Sequence, residues 1–271
     1  MPVQFLPSSS YVGMEVTTPD EVGINVGSHI AAVRFSNDKK PTKAYVKFCG
    51  PSAHDLFYEI LGYILAHNLG IKQPPRAGMI IVPLNPIRQH GGSLPNWIPK
   101  EEKVMPAFCT ELSPDRSIRY LYKTDSLMTK KYQELFNGCH NWYACVSAFD
   151  EWLANNDRNA GNILQLSDRV YSIIDHGRIF DNQPPSLVHT KDLSSVNLMR
   201  SVIPPLGDKS VERLNNSMAE ASNKHDLARN KALPSIARWL KFFNNIDKSI
   251  VLKFMEERSK INWMEDRVGV I

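Results

Sequence analysis

Residues 155–177, NNDRNAGNILQLSDRVYSIIDHG, restrict the chain more than any other stretch. Two apolar, β-compatible runs, NILQL and VYSII, flank the polar turn signal SDR, so the simplest local structure is a tight antiparallel hairpin. With Asp168 and Arg169 as the turn, Leu166 faces Tyr171, Leu164 faces Ile173, and Asn162 faces Asp175. Directly opposed residues have Cβ atoms ~4.5–5.5 Å apart, which would bring an amide oxygen and a carboxylate to one point. A bulge, or a turn longer than Asp-Arg, would shift this register. Hard cations such as Mg²⁺ favour oxygen ligands and are often held by one or two protein groups together with substrate phosphates. Asn162 and Asp175 are therefore the expected metal ligands.

Asp157 lies just upstream, past the end of an apolar helix, and Gly161 lets the loop turn tightly. A carboxylate beside a metal site that is not its main ligand suits a base orienting a hydroxyl nucleophile. Arg158 would either neutralise phosphate or fix the loop. Taken singly, each of these residues reads as part of a solvated Asp/Asn turn. Their combined spacing is what favours a catalytic device.

The surrounding chain reads as a β-rich first portion and a mainly helical second portion. HIAAVRFS (29–36) and TKAYVKF (42–48) flank the turn signal NDKKP, the second run alternating on Ala44, Val46 and Phe48 and ending near an inward-capable lysine. A helix is expected over 52–69, with Leu56, Ile60, Leu61, Ile64 and Leu65 on one stripe, Ser52 and Asp55 forming a capping-box-like start, and Gly70 as the stop. Two short apolar runs follow, MIIVPL (79–84) and MPAFCTEL (105–112). The Pro- and Gly-rich stretch 85–103 between them is expected to be irregular. In 141–156, Trp142, Cys145, Val146, Phe149, Trp152 and Leu153 form a helical stripe that ends at Asn155 and Asn156. Further helices are expected in SVERLNNSMAEASN, LPSIARWLKFFNNI and KSIVLKFMEERSKINWMEDRV.

With 271 residues, 42% hydrophobic and 22% charged, the chain is long enough for one large domain or two modest lobes. A net charge of +4 without a Lys/Arg run gives no nucleic-acid tract. No apolar run approaches the ~18 residues that span a bilayer. The start, MPVQFLPSSS, has no secretory pattern, and the four cysteines (Cys49, Cys109, Cys139, Cys145) show neither metal spacing nor disulfide density. A cytoplasmic protein that contacts neither membrane nor nucleic acid is expected.

DRNAGNIL…YSIIDHG resembles the catalytic and metal-binding segments of the HipA-like and phosphatidylinositol-kinase-like branches of the protein kinase fold. Upstream, AYVKF followed by LFYEILGYILAHNLGIKQP is similar to a HipA-like segment, so the resemblance runs in order through roughly residues 20–180. It implies an α+β, two-lobed protein-kinase-like fold. Residues 1–108 would form a β-rich N-lobe with one main helix. Residues 109–271 would form a helical C-lobe carrying a catalytic loop (155–162) and a metal hairpin (162–177).

The resemblance further implies that Lys47 contacts the α/β-phosphates of ATP and that Glu59 pairs with Lys47. Asp157 would be the catalytic base, and Asn162 and Asp175 would hold Mg²⁺. The adenine would lie against a hinge within 107–112, where Glu111 is the expected contact. The sequence departs from the family pattern in three places. No G-x-G-x-x-G precedes the lysine, the nearest candidate being VGINVGSH with Gly23, Gly27 and Ser28. His176 replaces Phe in the DFG position, and no His-Arg pair precedes Asp157. The expected activity is ATP/Mg-dependent transfer to a Ser or Thr hydroxyl of a protein by a toxin, defence or regulatory kinase. A separately encoded antitoxin or regulator is the expected partner by analogy. A lipid or small-molecule kinase and a nucleotide-sensing pseudokinase are the alternatives.

Overall fold

The computed structural model describes residues 1–15, 27–89, 92, 94–188, 193, 197–243 and 246–270. It is an α+β protein with a curled, mixed six-stranded sheet and a three-stranded antiparallel sheet. The chain divides into two compact units, Met1–Tyr63 with Pro74–Pro114, and Ile64–Gln73 with Asp115–Ile271. The sequence boundary between residues 108 and 109 thus falls inside a strand of the first unit. The structural division instead follows Pro114 and gives a short upstream segment to the second unit.

The six-stranded sheet comprises β1 (Val3–Leu6), β2 (Tyr11–Met14), β3 (Ser28–Val33), β4 (Thr42–Lys47), β5 (Ala77–Pro83) and β6 (Val104–Glu111), in the order β1-β5-β6-β4-β3-β2. Only β1 and β5 pair in parallel. β1 and β2 stand at opposite ends of that order, yet Pro7–Ser10 alone joins them. Five strand spacings laid flat span ~24 Å, whereas that connection reaches at most ~18 Å. The sheet must curl. On β4, Ala44 and Val46 are buried while Tyr45 and Lys47 take the other face, the period-two pattern read from the sequence. Val33, Phe35, Phe48, Ile80, Val82 and Ile87 join them in the core.

Helix α1 (Ala53–Asn68) is buried at every position from Leu56 to Ala66, so it is a core helix rather than an amphipathic surface one. It ends as a Schellman turn: Gly70 has φ 73°, its N–H donates to the His67 carbonyl, and the Ile71 N–H donates to the Ala66 carbonyl. The expectation of an irregular 85–103 needs one correction. A short helix, α2 (Leu84–Gln89), opens this stretch and buries Leu84 and Ile87. Pro86 sits in its first turn, where no backbone donor is needed.

The second unit contains β7 (Arg116–Ser117), α3 (Ile118–Tyr122), α4 (Asp125–Gly138), α5 (His140–Trp152), β8 (Ile163–Ser167) and β9 (Val170–Ile173). These are followed by α6 (Leu198–Ser201), α7 (Asp208–Ser222), α8 (His225–Trp239), α9 (Lys248–Arg258) and α10 (Trp263–Val268). α5 buries Val146, Phe149 and Trp152 as the stripe predicts, and also buries Ser147, Asp150 and Glu151 on its other sides. α8 starts earlier than the sequence suggests and carries Pro234 inside it. The last expected helix is two, separated where Asn262 takes φ 74°. Among the described residues no helix is long and apolar enough to cross a membrane.

Candidate active site

α5 ends with two buried acids, and the loop after it is built on the first of them. Asp150 is fully buried, and a buried carboxylate without partners is costly. Its partner is Arg158, also fully buried. Arg158 Nε donates to Asp150 Oδ2 at 3.1 Å and Nη2 donates to Oδ1 at 3.0 Å. Nη1 donates to the carbonyls of Ile174 and Asp175, at 2.5 and 3.2 Å. Burial pushes the Asp150 carboxyl above the usual carboxylate range, against the opposing pull of Arg158.

Of the two roles open to Arg158, fixing the loop is what this geometry performs. A guanidinium with no exposed surface and its donors turned inward cannot meet phosphate. Arg158 is therefore placed as a positioning residue, the second of its two expected roles.

His176 completes the clamp. Its Nδ1 lies 3.2 Å from Arg158 Nη2 and must accept, so Nε2 carries the proton toward Gln73 Oε1 at 2.9 Å. The ring packs edge-on to Phe149. The imidazole thus fills a buried position next to Asp175, and it adds polar ties that a phenyl group could not make.

The loop between these anchors is held by amides. Asn155 Nδ2 donates to Asp150 Oδ1 at 2.8 Å, and Asn155 Oδ1 accepts the Asp157 N–H at 3.1 Å. Asn159 Nδ2 donates to Asp157 Oδ1 at 2.7 Å, while Asn159 Oδ1 caps the Ala160–Asn162 turn through the Gly161 N–H. A Cβ on Gly161 would stand 2.9 Å from Asn159 Oδ1, so close approach is what requires glycine there. Asn162 Nδ2 donates to the Asp157 carbonyl at 2.6 Å. That bond fixes the amide and leaves Oδ1 as its lone-pair end.

The hairpin forms, but in a different register. Ser167 pairs with Val170 around Asp168–Arg169 as expected. Leu166 is then bulged, so that Gln165 opposes Tyr171 and Ile163 opposes Ile173. Continuing this register puts Asn162 opposite Ile174, whose N–H donates to the Asn162 carbonyl at 3.1 Å. Asp175 is one residue further on and is not the direct cross-strand partner of Asn162. Its backbone is left-handed, with φ 62°, which turns the chain at the end of β9. A non-glycine residue held in that region is a local strain of a kind that gathers at functional sites.

Among the described residues no three His, Cys, Asp or Glu side chains gather as a metal cluster. Asp175 supplies a carboxylate and Asn162 an amide oxygen, the hard-oxygen donor types that Mg²⁺ completed by phosphate and water takes.

In the first unit, Lys47 Nζ and Glu59 Oε1 are 2.7 Å apart, their side chains 18% and 2% exposed. Glu59 interrupts the apolar run of α1, and the lysine at the end of β4 gives its buried charge a counter-ion. Ser28 opposes Lys47 across the β3–β4 pair, and among the described residues its buried hydroxyl oxygen has no hydrogen-bond partner. Gly27 has φ 102°, and a Cβ there would collide with Pro95. Gly23 lies outside the described residues.

Glu111, expected at a nucleotide hinge, has its carboxylate on Arg76 Nε at 2.8 Å and its N–H on the Arg76 carbonyl at 2.9 Å. Arg76 also ion-pairs with Asp38 and lies over the Phe35 ring. Glu111 therefore works as a brace of the first unit, with its amide donor already engaged.

No family model matches the chain, and no curated protein matches it.

Asp150, Asn155, Asn159 and Gln73 all escaped the motif reading. A faint signal existed for the first, because an acid within an apolar helix, eight residues before an arginine in a loop, requires a buried partner.

Proposed function

We propose that the protein is an ATP- and Mg²⁺-dependent phosphotransferase of protein-kinase-like, two-lobed fold, transferring the γ-phosphoryl group to a Ser or Thr hydroxyl of a protein. The observation that carries this reading is the Lys47–Glu59 ion pair. Taken alone, the lysine reads as a solvated strand residue and the glutamate as a solvated helix face. Contact at 2.7 Å, with Glu59 almost fully buried, removes both plain alternatives. Lys47 then presents an oriented ammonium to phosphate oxygens, across the strand pair from the buried Ser28 hydroxyl.

In the second unit, Asp157 orients the acceptor hydroxyl and takes its proton as the phosphoryl group moves, with Asn159 fixing its carboxylate. Asn162 and Asp175 would hold Mg²⁺, which supplies charge neutralisation on the transferring phosphate. Positioning and electrostatics carry such a reaction, so a loop tied at Asp150, Arg158 and His176 suits it. The resemblance to HipA-like kinases supports a regulatory or toxin-type role with a separately encoded partner.

The metal assignment has its own test. ATP·Mg²⁺ at a hundred times its Kd should stabilise the protein by about 2.7 kcal/mol, a rise in Tm of about 5–10 °C for a chain of this length. Asp175→Asn should remove most of the Mg²⁺-dependent part of that rise in a melting assay. An unchanged Mg²⁺-dependent shift in the variant would remove Asp175 from the metal site.

A further inference from the structure

The loop that carries Asp157 has a charged neighbour with no role in the scheme above. β7 lies along β8, Arg116 opposite Gln165 and Ser117 opposite Leu164, so it is tied to the metal hairpin. α3 follows at once. The Ser117 side chain accepts the Tyr120 N–H at 3.2 Å at its start, and Lys123, with φ 51°, closes its end. This short helix packs on the Ala160–Asn162 turn. Arg119 Nε and Cζ come within 3.8 and 3.9 Å of the point where a Cβ on Gly161 would stand. The guanidinium thus lies at van der Waals range of the Gly161 position, on the loop between Asp157 and Asn162.

The segment 116–123, RSIRYLYK, carries three cations and no acid. Arg116, Arg119, Tyr120, Leu121 and Lys123 are all exposed, and the Arg116 guanidinium lies 4.7 Å over the Tyr120 ring. Among the described residues, none of the three cations forms an ion pair with an acid. A lone exposed arginine is ordinary surface chemistry. Here Arg116 is held by strand pairing and by stacking on Tyr120, and Arg119 lies on a capped helix packed on the turn that follows Asp157.

We propose that this basic ridge (Arg116, Arg119 and Lys123) recognises an acidic segment flanking the acceptor hydroxyl, so that the preferred substrate is a Ser or Thr with Asp or Glu close by in sequence. The proposal rests on the phosphotransferase reading and names its substrate class. Charge complementarity selects the occupant. Three cations on and around a five-residue helix match a short acidic peptide, whereas a nucleic-acid track needs a longer basic line than this segment offers. Tyr120 and Leu121 add apolar surface for the peptide to lie against.

The test reads binding and transfer separately, using the full chain. Fluorescent Ser-containing peptides flanked by Glu, by Gln or by Lys, and a single-stranded RNA of similar length, are titrated against the wild type and against Arg116→Glu/Arg119→Glu. The Glu-flanked peptide should bind the wild type about tenfold more tightly than the Gln-flanked one, an advantage of the size expected for two or three exposed charge pairs and one that shrinks with added salt. The charge-reversed protein should reverse the order and prefer the Lys-flanked peptide, which a merely unfolded variant cannot do. The ratio of kcat/KM between Glu- and Gln-flanked acceptors should follow the same pattern with ATP and Mg²⁺.

Equal affinity for the three peptides, an order unchanged by charge reversal, or tighter binding of the RNA than of the acidic peptide would overturn the proposal. Peptide preference in binding and its reversal, without Asp157-dependent transfer to any peptide, would overturn the phosphotransferase reading alone and support the ridge as an acidic-peptide docking surface.

Discussion

Replacing Arg158 with Met should destabilise the protein by about 3–5 kcal/mol, because it leaves the fully buried Asp150 carboxylate without its counter-ion. For a chain of this length that corresponds to a fall in Tm of about 6–20 °C. The effect should be far larger than that of removing an exposed arginine such as Arg169, whose pairing with Asp168 lies in solvent. The double variant Arg158→Met/Asp150→Leu should recover most of the loss, since it removes both buried charges together. Thermal melts of the two variants check this. A normal melting temperature for Arg158→Met would mean that the guanidinium does not clamp the loop from inside. Even when folded, the double variant should transfer phosphate poorly, because the carbonyls of Ile174 and Asp175 have lost the donor that holds that segment against the catalytic loop.

Lys47→Met should lower kcat/KM for phosphate transfer by about 10²–10³-fold, the loss typical of removing one preorganised charge partner of a developing anion. Glu59→Gln should cost less, because the amide oxygen still accepts a hydrogen bond from the ammonium. The informative variant is Lys47→Met/Glu59→Leu, which removes the buried acid with its partner. Steady-state kinetics and melts together should show stability recovered and transfer still lost. Recovery of transfer in the double variant would make the pair structural only.

Much of the framework could be read from residue patterns. α1 and α5 are long runs with helical periodicity and clear stops, and β4 alternates cleanly, so local rules and tertiary packing agree there. The Lys47–Glu59 pairing came through the resemblance, since no local rule joins a strand lysine to a helix glutamate. What escaped was set by packing. The bulge at Leu166 has no glycine to announce it, and it relieves a two-residue Asp-Arg turn ill suited to a tight hairpin. α2 was hidden by Pro86, a breaker within a helix but harmless in its first turn. The choice between phosphate and loop for Arg158 stays open in the sequence because its exposure depends on Asp150, which periodicity counts simply as a polar residue. The placing of residues 64–73 in the second unit follows from contacts such as Lys72 O with Ile173 N–H and Gln73 with His176, far apart in sequence.

If Asp157 serves phosphoryl transfer, its loss removes transfer and leaves ATP binding intact. The most direct test incubates the purified chain with Mg²⁺ and γ-labelled ATP alongside Asp157→Asn, offering lysate protein, Ser- and Thr-containing peptides, and a lipid fraction in parallel. The account predicts label on Ser or Thr of protein, at a rate about 10²–10⁴-fold lower in the variant, with ATP binding retained by both. Label in the lipid fraction alone would move the acceptor from protein to lipid. ATP bound by both proteins without any transfer or hydrolysis by the wild type, or equal transfer by wild type and Asp157→Asn, would contradict it.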